Sequence, residues 1–593
     1  MIKQKGAEYP ARDDPIDVEE KPAEEITGTS ERELDTSDEP KTNKLVWLKN
    51  YYMSHKKLAI PATVLVMLLI IFAAPFTRYP VLGLVMKQQV AVQVIDARSG
   101  KPVSETEVEI AGQNSRTDAN GWTNFSAVPV GNKTVVATKK YYKDAQIKVP
   151  VPLTKKAEVK IRIEATGRQV PVVIKNKISG VGVKGATVKV LDTETKTDDK
   201  GEAIIVLPPN KETEEALISI AGFNELKTTI KVTEAQTLEN TYAITPAGKI
   251  YFLSKKSGKL DVVKTNLDGS DRQTVLAGTG REEDQDTTLL ASRDWKYMAL
   301  KSRREGDNAK LYMIETANDK LTTMDEGDAG FSLVGWSNNY FTFLVIRNNV
   351  KNWESKRQSL KSFNAESKQL KTLDSSVGEG SHEYDQTQQS ISNLYKLKNE
   401  IVYTKTWSTN NYTPFLLNSK KSTLESTKPD GSGRRVIRSF DMSPGIAYQN
   451  IAARLYTPNE VYLAVGGPSK YYEYINGEVK DATDAKDQFD KYYPTYLISP
   501  SDNASFWYKP RDGKNTLFTG NADGNDAKKV SELSEFTPYG WYSDGYLLVS
   551  KKGSELYIMP KKDSLEEKDA FKITDYHRSN QSYQGYGYGY GGL

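Results

Sequence analysis

The chain has 593 residues, with 81 Lys and Arg against 77 Asp and Glu, three His and no Cys. That charge is too evenly spread for a nucleic-acid surface, and no Lys/Arg block is interleaved with stacking aromatics. Without cysteine there is no disulfide framework and no thiolate chemistry, so exported domains must depend on core packing alone.

The first forty residues hold 13 Asp or Glu against 5 Lys or Arg, with Pro10, Pro15, Pro22 and Pro40. Such a segment buries too little apolar surface to offset its ordering entropy, so residues 1–57 are expected to be a disordered tail. From Leu58 to Phe76 run nineteen residues without a charge. As a helix they span roughly 28 Å, close to the hydrocarbon thickness of a bilayer. Lys41, Lys44, Lys49, Lys56 and Lys57 precede the run, and only Arg78 and Lys87 follow closely. This asymmetry predicts a single-pass anchor in the lipid bilayer with the N-terminus cytoplasmic and the bulk of the chain outside. Trp47, Tyr51 and Tyr52 stand where interfacial aromatics belong. A cleaved signal peptide fits less well, because its apolar core is shorter and its leader far shorter than 57 residues.

Beyond the anchor the pattern is that of strands. Val103, Val108, Thr117, Asp118 and Gly121 recur 80 residues later as Val183, Val188, Thr197, Asp198 and Gly201. Each copy reads strand, Thr-Asp-x-x-Gly turn, strand, since an Asx side chain closes a turn and Gly takes positive φ. The stretches SGKPVSETEVEI…TDANGWTNFSAVPVGNKTV and GVGVKGATVKV…TDDKGEAIIVLPPN resemble the carboxypeptidase regulatory-like domain, a transthyretin-like β-sandwich. The resemblance implies two sandwiches, 88–165 and 168–243, serving as spacers or adhesive modules. Gly185-Ala186-Thr187 keeps the family pattern, whereas Ser104-Glu105-Thr106 departs from it.

From residue 246 to 575 a longer period takes over. Apolar-aromatic strands IYFLS, YMALKS, YFTFLVIR, EIVYTKT, EVYLAVGG, ASFWYKP and GYLLVSKK centre near residues 252, 299, 343, 402, 462, 506 and 547. The spacings of 47, 44, 59, 60, 44 and 41 suit four-stranded propeller blades. Radial closure removes the edges that such short sheets would otherwise expose. The turns NLDGSDRQTV, KPDGSGRRVI and NADGNDAKKV repeat as well. KIYFLSKKSGKLDVVKTNLDGSDRQTVL and SRDWKYMALKSRREGDNAKLYMIETANDKLTTM resemble TolB-like, PD40 β-propeller repeats, although Ser292-Arg293-Asp294-Trp295-Lys296 departs at two positions from that family's Ser-Pro-Asp-Gly-Lys turn. The resemblance implies a protein- or ligand-binding platform without an attached reaction. The expected fold class is therefore an all-β ectodomain: two β-sandwiches plus a propeller of seven blades, or six, on one transmembrane helix.

Chemistry-bearing patterns are few. No G-x-S-x-G elbow occurs, and Gly335-Trp336-Ser337 and Tyr542-Ser543-Asp544-Gly545 read as turns. His55, His382 and His577 cannot form a His-rich metal site, and His382 reads as a surface loop residue. The turns at Asn266-x-Asp268 and Asn521-x-Asp523 lack the twelfth-position Glu of a calcium loop, so they read as hairpins. No cofactor and no metal is expected. Tyr471, Tyr472, Tyr474, Tyr492, Tyr493 and Tyr496 surround the acidic stretch DATDAKDQFD and are expected to form a ligand-face loop, because Tyr offers contact area at little rotamer cost. The final residues, 576–593, are Tyr/Gly-rich and low in complexity, and are expected to be disordered. The whole reads as a membrane-anchored envelope protein whose non-catalytic propeller binds a protein or glycan partner, for adhesion or scaffolding. The alternative is a carbohydrate-active or other hydrolase using carboxylates in the propeller channel.

Overall fold

A computed structural model describes residues 44–73, 82–208, 212–231, 240–441, 445–447, 451–457, 459–466, 469–484, 486–489, 495–552 and 554–575. The acidic tail before residue 44, the Tyr/Gly-rich end, Tyr492 and Tyr493 lie outside them. The chain divides into two compact units, Met1–Leu82 and Gly83–Leu593.

In the first unit, helix Lys44–Ser54 is followed by helix Lys56–Ala73, which contains Pro61. The second helix takes in the apolar run from Leu58 to Ala73; residues 74–76 lie outside the described residues. Among the described residues no helix is long and apolar enough to cross a membrane.

The second unit is built from β-sheets. Its first part is a pair of sheets, one of three strands and one of four, and its second part repeats that pair with the same strand order. In the first copy Lys87–Asp96 pairs antiparallel with Trp122–Pro129 and parallel with Ala157–Ile163. In the second, Arg168–Asn176 pairs antiparallel with Glu202–Leu207 and parallel with Thr241–Ile244. Alternating residues of facing sheets fill the core: Val172 and Ile174 meet Val188, Val190 and Ile218. The Thr-Asp-x-x-Gly repeat is explained by hydrogen bonds. Thr117 Oγ1 donates to the Val103 carbonyl (2.7 Å), as Thr197 Oγ1 does to that of Val183 (2.5 Å). Asp118 Oδ1 accepts from the Asn120 and Trp122 amides, and Asp198 Oδ1 from those of Lys200 and Glu202. Gly201 closes this turn at φ +77°, and a Cβ there would sit 2.2 Å from the Ile174 carbonyl. Only glycine fits such a position.

Seven successive sheets follow among the described residues, of three, four, four, five, four, four and four strands. Each apolar-aromatic segment forms one strand: Lys249–Ser254, Tyr297–Ser302, Tyr340–Arg347, Ile401–Thr409, Glu460–Val465, Ala504–Arg511 and Tyr546–Lys551. These strands are buried on both faces, which is why they read as continuous apolar runs. The first and last sheets share one core, where Ile250 and Phe252 pack with Leu548, Leu556, Ile558 and Ile573. Gly269 of the first sheet lies so close that a Cβ would fall 2.1 Å from the Ile573 carbonyl. The array thus returns on itself in a propeller-like arrangement, with seven sheets. The three Asp-Gly turns are hairpins with one geometry. The amides of Asn266, Lys428 and Asn521 donate to the carbonyls of Ser270, Ser432 and Asn525.

Tryptophans tie neighbouring sheets together. Trp336 Nε1 donates to the Leu290 carbonyl (3.0 Å) and Trp541 Nε1 to that of Leu497 (2.7 Å), each reaching the preceding sheet. Gly335 and Trp336 therefore belong to the inner strand Ala329–Ser337 rather than to a turn. The second sandwich joins the array through Lys177 and Asp268 (2.7 Å) and through Thr245, whose hydroxyl also reaches Asp268 (2.8 Å). Burial opposes the charge on Asp268, but hydrogen bonds from Lys177, Ser270 and Thr245 outweigh it and hold the carboxyl at about 2.

Candidate functional site

Strands in an antiparallel sheet alternate in direction, so each sheet of the array presents turns at two ends. One end carries the turns around Asp268 and Tyr546, which contact the second sandwich. The other end carries the connection 376–386 and the loop 410–420, which follow Gln369–Ser375 and Ile401–Thr409 respectively.

These two loops are stapled internally and to each other. Asp385 Oδ1 accepts from the amides of Ser381 and His382 (2.9 Å each), and its Oδ2 accepts from Ser381 Oγ (2.9 Å). Those bonds, the backbone ones first, hold the Asp385 carboxyl at about 2. Asn410 Oδ1 accepts from the Tyr412 and Thr413 amides (3.1 and 3.0 Å). Across the gap, Thr409 Oγ1 donates to the Gln386 carbonyl (2.6 Å), Asn410 Nδ2 to that of Glu383 and Thr413 Oγ1 to that of Tyr384. Lys420 Nζ pairs with Glu379 (2.6 Å) and lies over the Trp407 ring at 4.6 Å. The 3-10 turn Pro414–Leu417 drops Leu417 into the interior as an anchor.

The result is a rigid loop pair that displays aromatic rings. Tyr384 is 59% exposed, Tyr412 80% and Phe415 62%. Among the described residues from Gly83 onward, these are the exposed aromatic side chains. The Tyr384 and Tyr412 rings meet edge to face at 6.4 Å, and His382 tilts against Tyr384 at 6.2 Å. A rigid, wet aromatic surface of this kind loses little entropy on binding a partner.

The tyrosines expected from the sequence are distributed differently. Tyr471, Tyr472 and Tyr474 occupy the strand Lys470–Ile475, not a loop. Tyr474 is fully buried in the core, and its hydroxyl bonds the Glu400 carboxylate. Burial, and then Glu400, push that hydroxyl above the usual tyrosine range. Tyr472 is half-buried against Phe440 and under Arg438. Tyr496 is half-buried against Trp507 at 4.9 Å. Tyr492 and Tyr493 lie outside the described residues. Tyr384, Tyr412 and Phe415 were not singled out by the sequence. The signal was the pair of spacings, 59 and 60, on either side of EIVYTKT, which leaves extra residues for loops there.

Two other clusters carry charge. Between the third and fourth sheets, Asp374 accepts from Tyr403 Oη (2.9 Å), Lys405 Nζ (3.2 Å) and Arg434 (2.8 Å), while Glu425 meets the same guanidinium at 3.1 Å. Burial and then the two carboxylates push the Tyr403 hydroxyl well above its ordinary range. Every charge here has a partner, so the cluster reads as a structural clamp. At the sandwich-facing end, Arg293 of the second sheet pairs with Asp502 of the sixth, and Asp544 accepts from Ser501 (2.8 Å). Lys396 donates to the Trp336 carbonyl (2.7 Å), and burial, then Arg293, drive its ammonium well below the lysine range. Among the described residues no group of three or more His, Asp or Glu is placed to hold a metal ion.

No family model and no curated protein matches the chain. Solved structures to which it is similar include an oligogalacturonate lyase in complex with manganese, at 9% identity over 53% of this chain and 82% of that one, TM-score 0.30. Another is the β-propeller domain of the Trilobed protease from Pyrococcus furiosus, at 12% identity over 51% and 99%, TM-score 0.28. Pyrococcus horikoshii acylaminoacyl peptidase is a third, at 12% identity over 62% and 51%, TM-score 0.29. Scores this low carry no argument for fold or activity; the propeller-like reading rests on the seven sheets and their shared cores.

Proposed function

We propose that this chain is a membrane-anchored cell-envelope protein whose propeller is a non-catalytic binding module for a protein or glycan of the envelope. The uncharged run from Leu58, with lysines before it, supports the anchor and its orientation. The two sandwiches, in this reading, are spacers that hold the propeller away from the bilayer and make the two TolB-like and carboxypeptidase regulatory-like resemblances parts of one display device. The observation that carries the binding role is the exposure of Tyr384, Tyr412 and Phe415 on two cross-bonded loops, at the end of the array away from the sandwich contacts. Solvent-exposed aromatics on a rigid support have no folding role that requires exposure, and they are the side chains that anchor binding surfaces.

The test is a pull-down from native envelopes with the full chain and with its Tyr384→Ala/Tyr412→Ala/Phe415→Ala variant, read by mass spectrometry and polysaccharide analysis. Material held by the first and lost by the second supports the reading. Identical capture by both contradicts it.

A further inference from the structure

We infer that the end at which the chain enters the first sandwich docks on an anionic lipid surface; this rests on the anchor reading above and deepens it. Leu84 and Val85 enter the interface, and the lysines around them meet the headgroups.

The apolar part is a short segment held outward. Residues 82–85 are helical, and Met86 leads into the strand Lys87–Asp96. The segment is fixed to the sandwich through its backbone. The Val130 amide donates to the Met86 carbonyl (3.2 Å), and a Cβ on Gly83 would lie 3.0 Å from the Val130 carbonyl. Leu84 is nevertheless 81% exposed and Val85 85%. Among the described residues from Gly83 onward they are the most exposed large apolar side chains. Holding such groups in water is unfavourable, and an apolar phase removes the cost.

The polar part is charge of one sign. Register places the turns 129–132 and 152–156 beside this segment, since Lys87 faces Pro129 and Gly131 faces Val151. Gln88 Nε2 ties the second turn down by donating to the Leu153 carbonyl (2.7 Å). The segment and these two turns carry Lys87, Lys133, Lys155 and Lys156 within a residue of their ends, and no Asp or Glu. The charged residues next along the strands are Lys148, Glu109 and Glu158, so five lysines still stand against two glutamates. The opposite end of the same sandwich is mixed and paired, with Arg116 on Glu194 and Lys196 on Glu105.

An apolar tip among cations suits an anionic bilayer, where the tip enters the interface and the ammonium groups meet phosphates. Protein interfaces, by contrast, are depleted in lysine. Reach agrees with this choice. Eight residues separate Phe76, the end of the uncharged run, from Leu84, and fully extended they span about 28 Å at most. In this account the first sandwich stands on the bilayer and is not merely tethered to it.

The chain has no cysteine, so single Val85→Cys, Val181→Cys and Val66→Cys variants of the full chain can each carry one environment-sensitive fluorophore. They are reconstituted in vesicles of phosphatidylcholine, alone or with equal phosphatidylglycerol, that contain nitroxide lipids. A nitroxide near the headgroup should quench the Val85 probe roughly fivefold more strongly than the Val181 probe. Phosphatidylglycerol should increase that quenching, and Lys155→Glu/Lys156→Glu should cut it by about half or more with an unchanged melting curve. Quenching at residue 85 no greater than at 181, or indifferent both to phosphatidylglycerol and to the two lysine changes, overturns the inference. Shielding of the Val85 probe from water without quenching by lipid means a protein cover and overturns it as well. The Val66 probe, read with a nitroxide near the bilayer centre, tests the anchor separately. If it is quenched and Val85 is not, the anchor stands and the docking falls; if neither is quenched, both fall.

Discussion

Asp96 and Asn176 occupy the same place in the two sandwiches, 80 residues apart, and each does two jobs. Asp96 Oδ1 accepts from the Arg98 and Ser99 amides, and Asn176 Oδ1 from those of Ile178 and Ser179. Each then bonds the next domain: Gln169 Nε2 donates to Asp96 Oδ2 (2.7 Å), and Asn176 Nδ2 donates to Tyr546 Oη (2.7 Å). One turn, used twice, therefore links sandwich to sandwich and sandwich to propeller-like array. Such bonds make a stalk stiffer than its covalent linkers alone.

Removing the Tyr546 hydroxyl tests this directly, because Tyr546→Phe keeps the ring. We expect a loss of about 1 kcal/mol at the junction, the usual net worth of a hydrogen bond. Limited proteolysis near residue 246 should become faster while the array's own melting stays close to that of the parent.

A second prediction concerns pH at the junction of the sandwiches. Lys139 Nζ donates to the Ser104 and Glu194 carbonyls (2.5 and 2.8 Å), and burial lowers its ammonium to about 8, despite Glu105 and Glu194 nearby. In the unfolded chain the same group titrates near ~10.4. Between these values the unfolded state binds more protons, so the contribution of Lys139 to stability rises with pH across that window, by about 3 kcal/mol at most. Below about 8 both states are protonated, and the cost of the buried cation is felt in full. Thermal melts of the parent and of Lys139→Met should diverge as pH climbs through the window. Parallel profiles would refute it.

The buried clamp between the third and fourth sheets gives a third. Asp374→Asn leaves Lys405 and Arg434 facing a neutral amide, with the hydroxyl of Tyr403 beside them. Breaking one partner of a buried ionic group costs about 3–5 kcal/mol. Denaturant unfolding should show a loss of that size, and a loss below about 1 kcal/mol would contradict the clamp.

Tyr474 and Tyr412 separate core from surface. Tyr474→Ala empties a fully buried site and should cost about 3–5 kcal/mol. Tyr412→Ala, at an exposed site, should change stability by about 0.5 kcal/mol or less.

What could be read from the sequence follows from where each residue's role is decided. The Thr-Asp-x-x-Gly turn is local chemistry, so Thr117 and Thr197 were legible from the repeat. The seven apolar strands were legible because burial on both faces leaves a continuous signature. Their outer partners were not: Gln369–Ser375 and Glu478–Asp481 are polar and half-solvated, and their place depends on pairing. The tyrosines show the limit most clearly. In KYYEYI the alternation puts Tyr472 and Tyr474 on one face, and that face meets Phe440 and Glu400 from a neighbouring sheet. Exposure of Tyr384 and Tyr412 depends on bonds between loops 23 or more residues apart, such as Thr409 to Gln386 and Asn410 to Glu383, which no local pattern encodes.

The most direct test of the central claim is co-sedimentation of the full chain with isolated envelope material, comparing the parent, the Tyr384→Ala/Tyr412→Ala/Phe415→Ala variant and a Tyr471→Ala/Tyr472→Ala control. The parent and the control should sediment together with the envelope, while the ring variant, folded to the same melting temperature, stays in the supernatant. Sedimentation of the ring variant equal to that of the parent would contradict a binding role for the platform.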